Sequence, residues 1–127
     1  MARYEFYNPN PSKLKTGDCV IRAISKALGQ SWEQTYIELS VRGYMMHDIM
    51  SSNAVWDAYL KRKGFRRAAV PDCCPDCYTV AAFADDNPHG AYIIGTGTHA
   101  VAVIDGTICD AWDSSEEQPI YYYYKGA

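Results

Sequence analysis

The pair Asp105-Gly106 constrains this chain more tightly than any other feature. It separates two runs, His99-Ala100-Val101-Ala102-Val103-Ile104 and Thr107-Ile108-Cys109-Asp110-Ala111-Trp112, both rich in apolar residues. An Asp-Gly dipeptide between such runs specifies a two-residue type I′ hairpin, because both central residues must take positive φ. The register follows by counting outward: Ile104 opposite Thr107, Val103 opposite Ile108, and at the far end His99 opposite Trp112. Side chains alternate faces along a strand, so His99 shares a face with Trp112 and, diagonally, with Asp110. Asp113 falls on the other face unless a bulge resets the register. A histidine and a carboxylate thus sit on neighbouring strands. The carboxylate can hold the imidazole in one tautomer, and the imidazole can take a proton from a nucleophile.

The candidate nucleophile lies far upstream, in Thr16-Gly17-Asp18-Cys19-Val20-Ile21-Arg22-Ala23-Ile24. This reads as a loop turning straight into a helix. Gly17 permits a tight backbone, and Asp18 or Thr16 can cap the free N–H groups. Val20, Ile21, Ile24 and Leu28 recur at helical spacing. A cysteine in the first turn feels the positive end of the helix dipole, which favours thiolate, and the N–H groups there can hold a developing oxyanion. A free cysteine is otherwise often a small buried hydrophobe; the distant His-Asp pair is what shifts the balance towards chemistry.

The remaining segments supply a framework. Residues 1–15 form a polar lead-in whose Tyr4, Phe6 and Tyr7 can pack onto the body. The first helix stops at Gly29. Ser31 with Gln34 is a capping box opening a second helix to about Val41, with Gly43 to His47 as a connection. A third helix spans about Asn53 to Lys63, with Val55, Tyr59 and Leu60 as its apolar stripe. Ala68 to Val70 reads as a short strand, Pro71 to Cys77 as a loop, and Thr79 as the cap of a helix through about Ala84. Strands follow at Ala91 to Ile94, His99 to Ile104, Thr107 to Trp112 and Ile120 to Tyr124. Helices first and an antiparallel sheet after them predict a single α+β domain over residues 1–127.

Composition narrows the function. A net charge of −3 argues against a nucleic-acid partner, and the cationic Lys61-Arg62-Lys63 reads as a solvated helix end. No apolar run approaches the roughly 18 residues of a membrane span, and the N-terminus lacks a signal-peptide core. The five cysteines are odd in number and show no spaced disulfide framework, so a reducing cytoplasm is expected. Cys73, Cys74 and Cys77 with His89 would supply four zinc ligands in number, and Cys74-Pro75-Asp76-Cys77 is one C-x-x-C. A lone knuckle at this spacing is a weak metal or redox signal, and neither metal nor cofactor is expected.

Taken together, Gly17-Asp18-Cys19, His99 to Val103 and Ile108 to Trp112 resemble the papain-like cysteine peptidases, in particular compact bacterial or phage C39-like members. The resemblance implies N-terminal helices packed on a C-terminal antiparallel sheet, with Cys19 as nucleophile, His99 as base and Asp110, or alternatively Asp113, as its orienter. It further implies a cysteine hydrolase acting by thiol acyl transfer on a peptide or isopeptide bond of a peptide or protein substrate. The family's oxyanion glutamine is missing, since Lys13 and Leu14 occupy its place; Asn10 or Asn8 is the candidate replacement. The same parts serve deamidases and transglutaminase-like acyltransferases, and a non-catalytic protein-binding module on the same fold is the alternative.

Overall fold

Asp105 and Gly106 both take positive φ, 49° and 77°, so the turn closes as its chemistry requires. The strands it joins pair as counted: Ile104 with Thr107, Val103 with Ile108, Ala102 with Cys109. A computed structural model describes residues 3–71 and 78–126. In chain order the elements among the described residues are β1 (Arg3–Phe6), α1 (Cys19–Leu28), α2 (Trp32–Met46), α3 (Asn53–Arg62), β2 (Phe65–Ala69), α4 (Val80–Asp86), β3 (Ala91–Gly95), β4 (Ala100–Ile104), β5 (Thr107–Asp110) and β6 (Tyr121–Lys125). The class is α+β, with one six-stranded sheet in the order β1-β5-β4-β3-β6-β2.

The sheet is mixed, which corrects the expectation of an antiparallel one. The N-terminal arm is a strand, and β1 pairs parallel with β5, Tyr4 opposite Ile108 and Phe6 opposite Asp110. The hairpin leaves the outer edge of β5 with unpaired N–H and C=O groups, and the arm satisfies them. The other neighbouring pairs are antiparallel.

Both faces of the sheet are covered. On one, α1 lies over β4 and touches α2, which in turn packs on α3. Ala100, Ala102, Cys109 and Tyr123 belong to this core with Ile21, Ile24, Leu39, Val55 and Trp56. On the other, α4 brings Val80 and Phe83 against Ile94, Val101, Val103 and Ile108. The tyrosine tail divides by alternation: Tyr123 lies 5.3 Å from Trp56 on the first face, and Tyr122 lies 4.9 Å from Phe83 on the second. Gly95 ends β3 without a side chain because the Tyr121 ring fills that space; a Cβ there would come within 2.2 Å of it.

Caps explain most helix limits. Gly29 ends α1 in the left-handed conformation, and the hydroxyls of Ser31, Ser52 and Thr79 accept from Gln34, Val55 and Ala82 backbone N–H groups. Several details differ from the sequence reading: β2 runs Phe65–Ala69 where Ala68 to Val70 was expected, and β4 begins at Ala100, one residue after His99. α2 continues through Gly43 to Met46, because the following loop folds back onto it: a Cβ at Gly43 would meet the Asp48 carbonyl oxygen at 2.8 Å. Asp18 occupies the N-cap position of α1 but makes no side-chain cap. β5 stops at Asp110, short of Trp112.

Candidate active site

α1 is enclosed between sheet and α2, so the run Ile21 to Ser25 is buried, including Arg22. A buried guanidinium must be paired. Arg22 bonds through one arm to Asp18, one turn back, and through the other to Asp110 Oδ1 at 3.1 Å. This draws the Asp18 carboxylate away from the helix end, where it also accepts from Trp32 Nε1 at 2.9 Å. The first-turn N–H groups of α1, that of Cys19 among them, therefore receive no side-chain cap from Asp18.

Asp110 is the hub of the site. Its Oδ2 lies 2.6 Å from His99 Nε2 and accepts from Ser114 Oγ at 2.7 Å, while Oδ1 takes the Ala111 N–H at 2.7 Å as well as Arg22. The arm pins its backbone: the Tyr7 N–H donates to the Asp110 carbonyl at 2.8 Å and the Tyr4 hydroxyl at 3.1 Å. Strict alternation would put His99 and Asp110 with Val101 and Ile108 on the α4 face. They instead reach α1, because His99 precedes the first residue of β4 and Asp110 lies beyond the last paired position of the hairpin ladder. Trp112 covers the imidazole, ring centroids 4.8 Å apart.

With Nε2 held by Asp110, the ring nitrogen left for Cys19 is Nδ1. The Cys19 thiol lines the same cleft as His99 and Ala100, and hydrogen bonding from the imidazole and the Ala100 backbone N–H favours its thiolate. Burial alone would push this thiol up. The His99 and Ala100 bonds, with the positive charges of His99 and Arg22, outweigh it and hold the thiol below its ordinary value. Burial likewise opposes charge on His99, but its bonds to Asp110 and Cys19 and their negative charge raise it to about 9. Asp110 is held below the usual carboxylate range: burial opposes this, and His99, Ser114 and the Ala111 N–H prevail. Cys109 is the contrast. Burial raises that thiol, and it has no imidazole beside it.

The thiol and imidazole share a cleft of about 220 Å³ with Asn53, Trp56, Thr98 and Tyr121 among its lining residues. Cys19, His99 and Asp110 are thus brought together. Asp113 is not: it is exposed and its carboxylate accepts from the Ser115 N–H at 3.1 Å. Asn10 and Asn8 also stand apart from the thiol. Asn10 is buried, its Oδ1 accepts the Ser12 N–H at 2.9 Å, and it lines a neighbouring cavity; Asn8 Oδ1 accepts the Asn10 N–H at 3.2 Å. Cys73, Cys74 and Cys77 lie outside the described residues. Among the described residues no group of three or more His, Cys, Asp or Glu is placed to hold a metal ion, and no helix is long and apolar enough to cross a membrane.

Sequence reasoning missed Arg22 and Ser114. Arg22 did carry a signal, as the one charge within the apolar run Val20 to Ile24. Ser114 carried none, since only the turn after β5 brings it back to Asp110. No protein-family model, curated protein or solved structure matches this chain, so the papain-like resemblance rests on its own residues and their geometry.

Proposed function

We propose that the chain is a papain-like cysteine hydrolase acting by thiol acyl transfer on a peptide or isopeptide bond. The observation that carries this reading is the 2.6 Å contact of Asp110 with His99, whose imidazole shares a cleft with a thiol held below its ordinary value. The layout supports it as well: the nucleophile opens a helix buried along one face, the base stands just before β4, and the orienter ends β5, its antiparallel neighbour.

The Cys19 thiolate attacks the carbonyl carbon, and the Cys19 N–H at the head of α1 stabilises the oxyanion. The His99 imidazolium, held by Asp110, passes its proton to the leaving amine as the C–N bond breaks. A thioester remains on Cys19. Neutral His99 then takes a proton from water, whose oxygen attacks the thioester, and the acid leaves as thiolate and imidazolium are restored. An amine in place of that water would give transfer, and a side-chain carboxamide as substrate would give deamidation. A non-catalytic binding module is the second reading, favoured by the position of Asn10 and Asn8 away from the thiol.

The test is peptide mapping by mass spectrometry after brief exposure to limiting iodoacetamide near neutral pH. Cys19 is expected to be alkylated at least about tenfold faster than the other four cysteines, and His99→Ala to abolish that lead. Slow, uniform labelling, with Cys19 no faster than Cys73 or Cys77, would sink the enzyme reading and leave the binding module.

A further inference from the structure

Helix α2 is apolar on two sides. Thr35, Leu39 and Gly43 are buried, and the helix packs on α1 and α3. On the opposite side Ile37, Val41, Tyr44 and Met45 recur at i, i+4, i+7 and i+8, which is one stripe of an α-helix. They are 61%, 52%, 82% and 61% exposed. A helix that is apolar all round belongs in an interior, so the second stripe calls for a cover. Ile49, also exposed, adds apolar surface just past the helix end. The loop that carries it is braced: the Asp48 N–H donates to the Gly43 carbonyl at 2.9 Å, and the Asp48 carboxylate accepts from the Ile49 N–H at 2.7 Å and from Ser52 Oγ at 2.8 Å.

The size of the stripe fits a second protein surface. At roughly 200 Å² for a whole large side chain, the four exposures leave about 500 Å² of apolar surface. A standard interface takes about 800 Å² from each partner, of which about 56–65% is apolar, and the stripe supplies that share. Its flanks carry Glu33 and Glu38 against the one cation Arg42, whereas helices that lie on membranes carry mostly Lys and Arg there.

The stripe is complementary to itself when two copies run antiparallel about Val41. Ile37 then lies opposite the partner's Met45, and Val41 opposite the partner's Val41. A two-fold axis of this kind sets each flank beside the same flank of the other copy. Glu38 and Arg42 occupy one flank, so Glu38 comes within about 3 Å, along the helix axis, of the partner's Arg42. This rim pair fixes the register more than it adds affinity. A parallel pair would set unlike flanks together and lose it.

We propose that this face is the interface of a two-fold symmetric dimer, in which α2 packs antiparallel on α2 of a second copy of this chain.

Sedimentation equilibrium on the whole chain tests the proposal. At about 100 μM the wild type is expected at twice its 14.2 kDa mass, since interfaces of standard size hold at micromolar Kd or tighter. Tyr44 lies outside the core, so Tyr44→Glu should give the single mass with Tm unchanged. Two double variants test the register. Ile37→Lys/Met45→Glu sets opposite charges across the antiparallel pair and should associate about tenfold or more tightly than Ile37→Lys/Met45→Lys, which sets like charges there. A wild type that keeps the single mass, or a dimer that Tyr44→Glu leaves intact, overturns the interface. Equal association of the two double variants overturns the antiparallel packing. A single-mass wild type that floats with phosphatidylglycerol-containing vesicles, and loses this in Tyr44→Glu, overturns the dimer in favour of a lipid surface.

Discussion

Replacing Arg22 with methionine would test the charge network beneath the site. The guanidinium is 9% exposed and lies between the carboxylates of Asp18 and Asp110, themselves 3% and 1% exposed. Removing one partner of a buried ion pair costs about 3–5 kcal/mol, because a charge is left uncompensated. Asp110 would keep His99, Ser114 and the Ala111 N–H, whereas Asp18 would keep the Trp32 indole. The lower end, about 3 kcal/mol, is therefore expected. With a urea m-value of about 2 kcal/mol/M, the unfolding midpoint should fall by about 1.5 M. The Asp18→Asn background supplies the control, since its amide oxygen can still accept from Trp32 but carries no charge. There the Arg22→Met loss should shrink by about 1–2 kcal/mol. The pH dependence has a definite sign. Asp110 is depressed in the folded wild type, so its contribution is present above the unfolded value of about 3.9 and is lost as pH falls through the folded value. The Arg22 guanidinium bonds the Asp110 carboxylate at 3.1 Å and favours its ionised form only, so the gap between variant and wild type should narrow towards acid pH. A loss under about 1 kcal/mol, equal in both backgrounds and at all pH, would refute the account of Arg22 as the ion that joins the two carboxylates.

Two further outcomes follow from the geometry. The alkylation rate of Cys19 should rise at lower pH in the wild type than in His99→Ala, because the thiol is lowered beside an imidazole raised to about 9, while the variant should rise only as an ordinary thiol does, near or above pH ~8.5; superimposable profiles would contradict the ion pair. Gly95→Ala puts a Cβ into the Tyr121 ring and should cost about 1–3 kcal/mol, lowering Tm by about 5 °C or more, with recovery in Gly95→Ala/Tyr121→Ser; an unchanged Tm would show that the ring moves aside freely.

The parts of this protein that could be read from its sequence are those whose cause is local. A type I′ turn needs only Asp105 and Gly106, and once it closes, counting residues brings His99 within reach of Asp110. The stop at Gly29 and the cap at Ser31 depend on groups a few bonds away. The rest was settled across distance. Arg3–Phe6 is too short and too charged to announce a strand, and becomes one because β5 presents an open edge. Gly43 resembles a helix stop until the returning loop is seen to need its missing side chain. Asp18 looks like a cap and is instead an ion-pair partner, because burial of α1 forces Arg22 to find charge. The sequence alone thus determined which groups can do chemistry; the tertiary structure decided which of them meet, because desolvation and pairing act on neighbours in space.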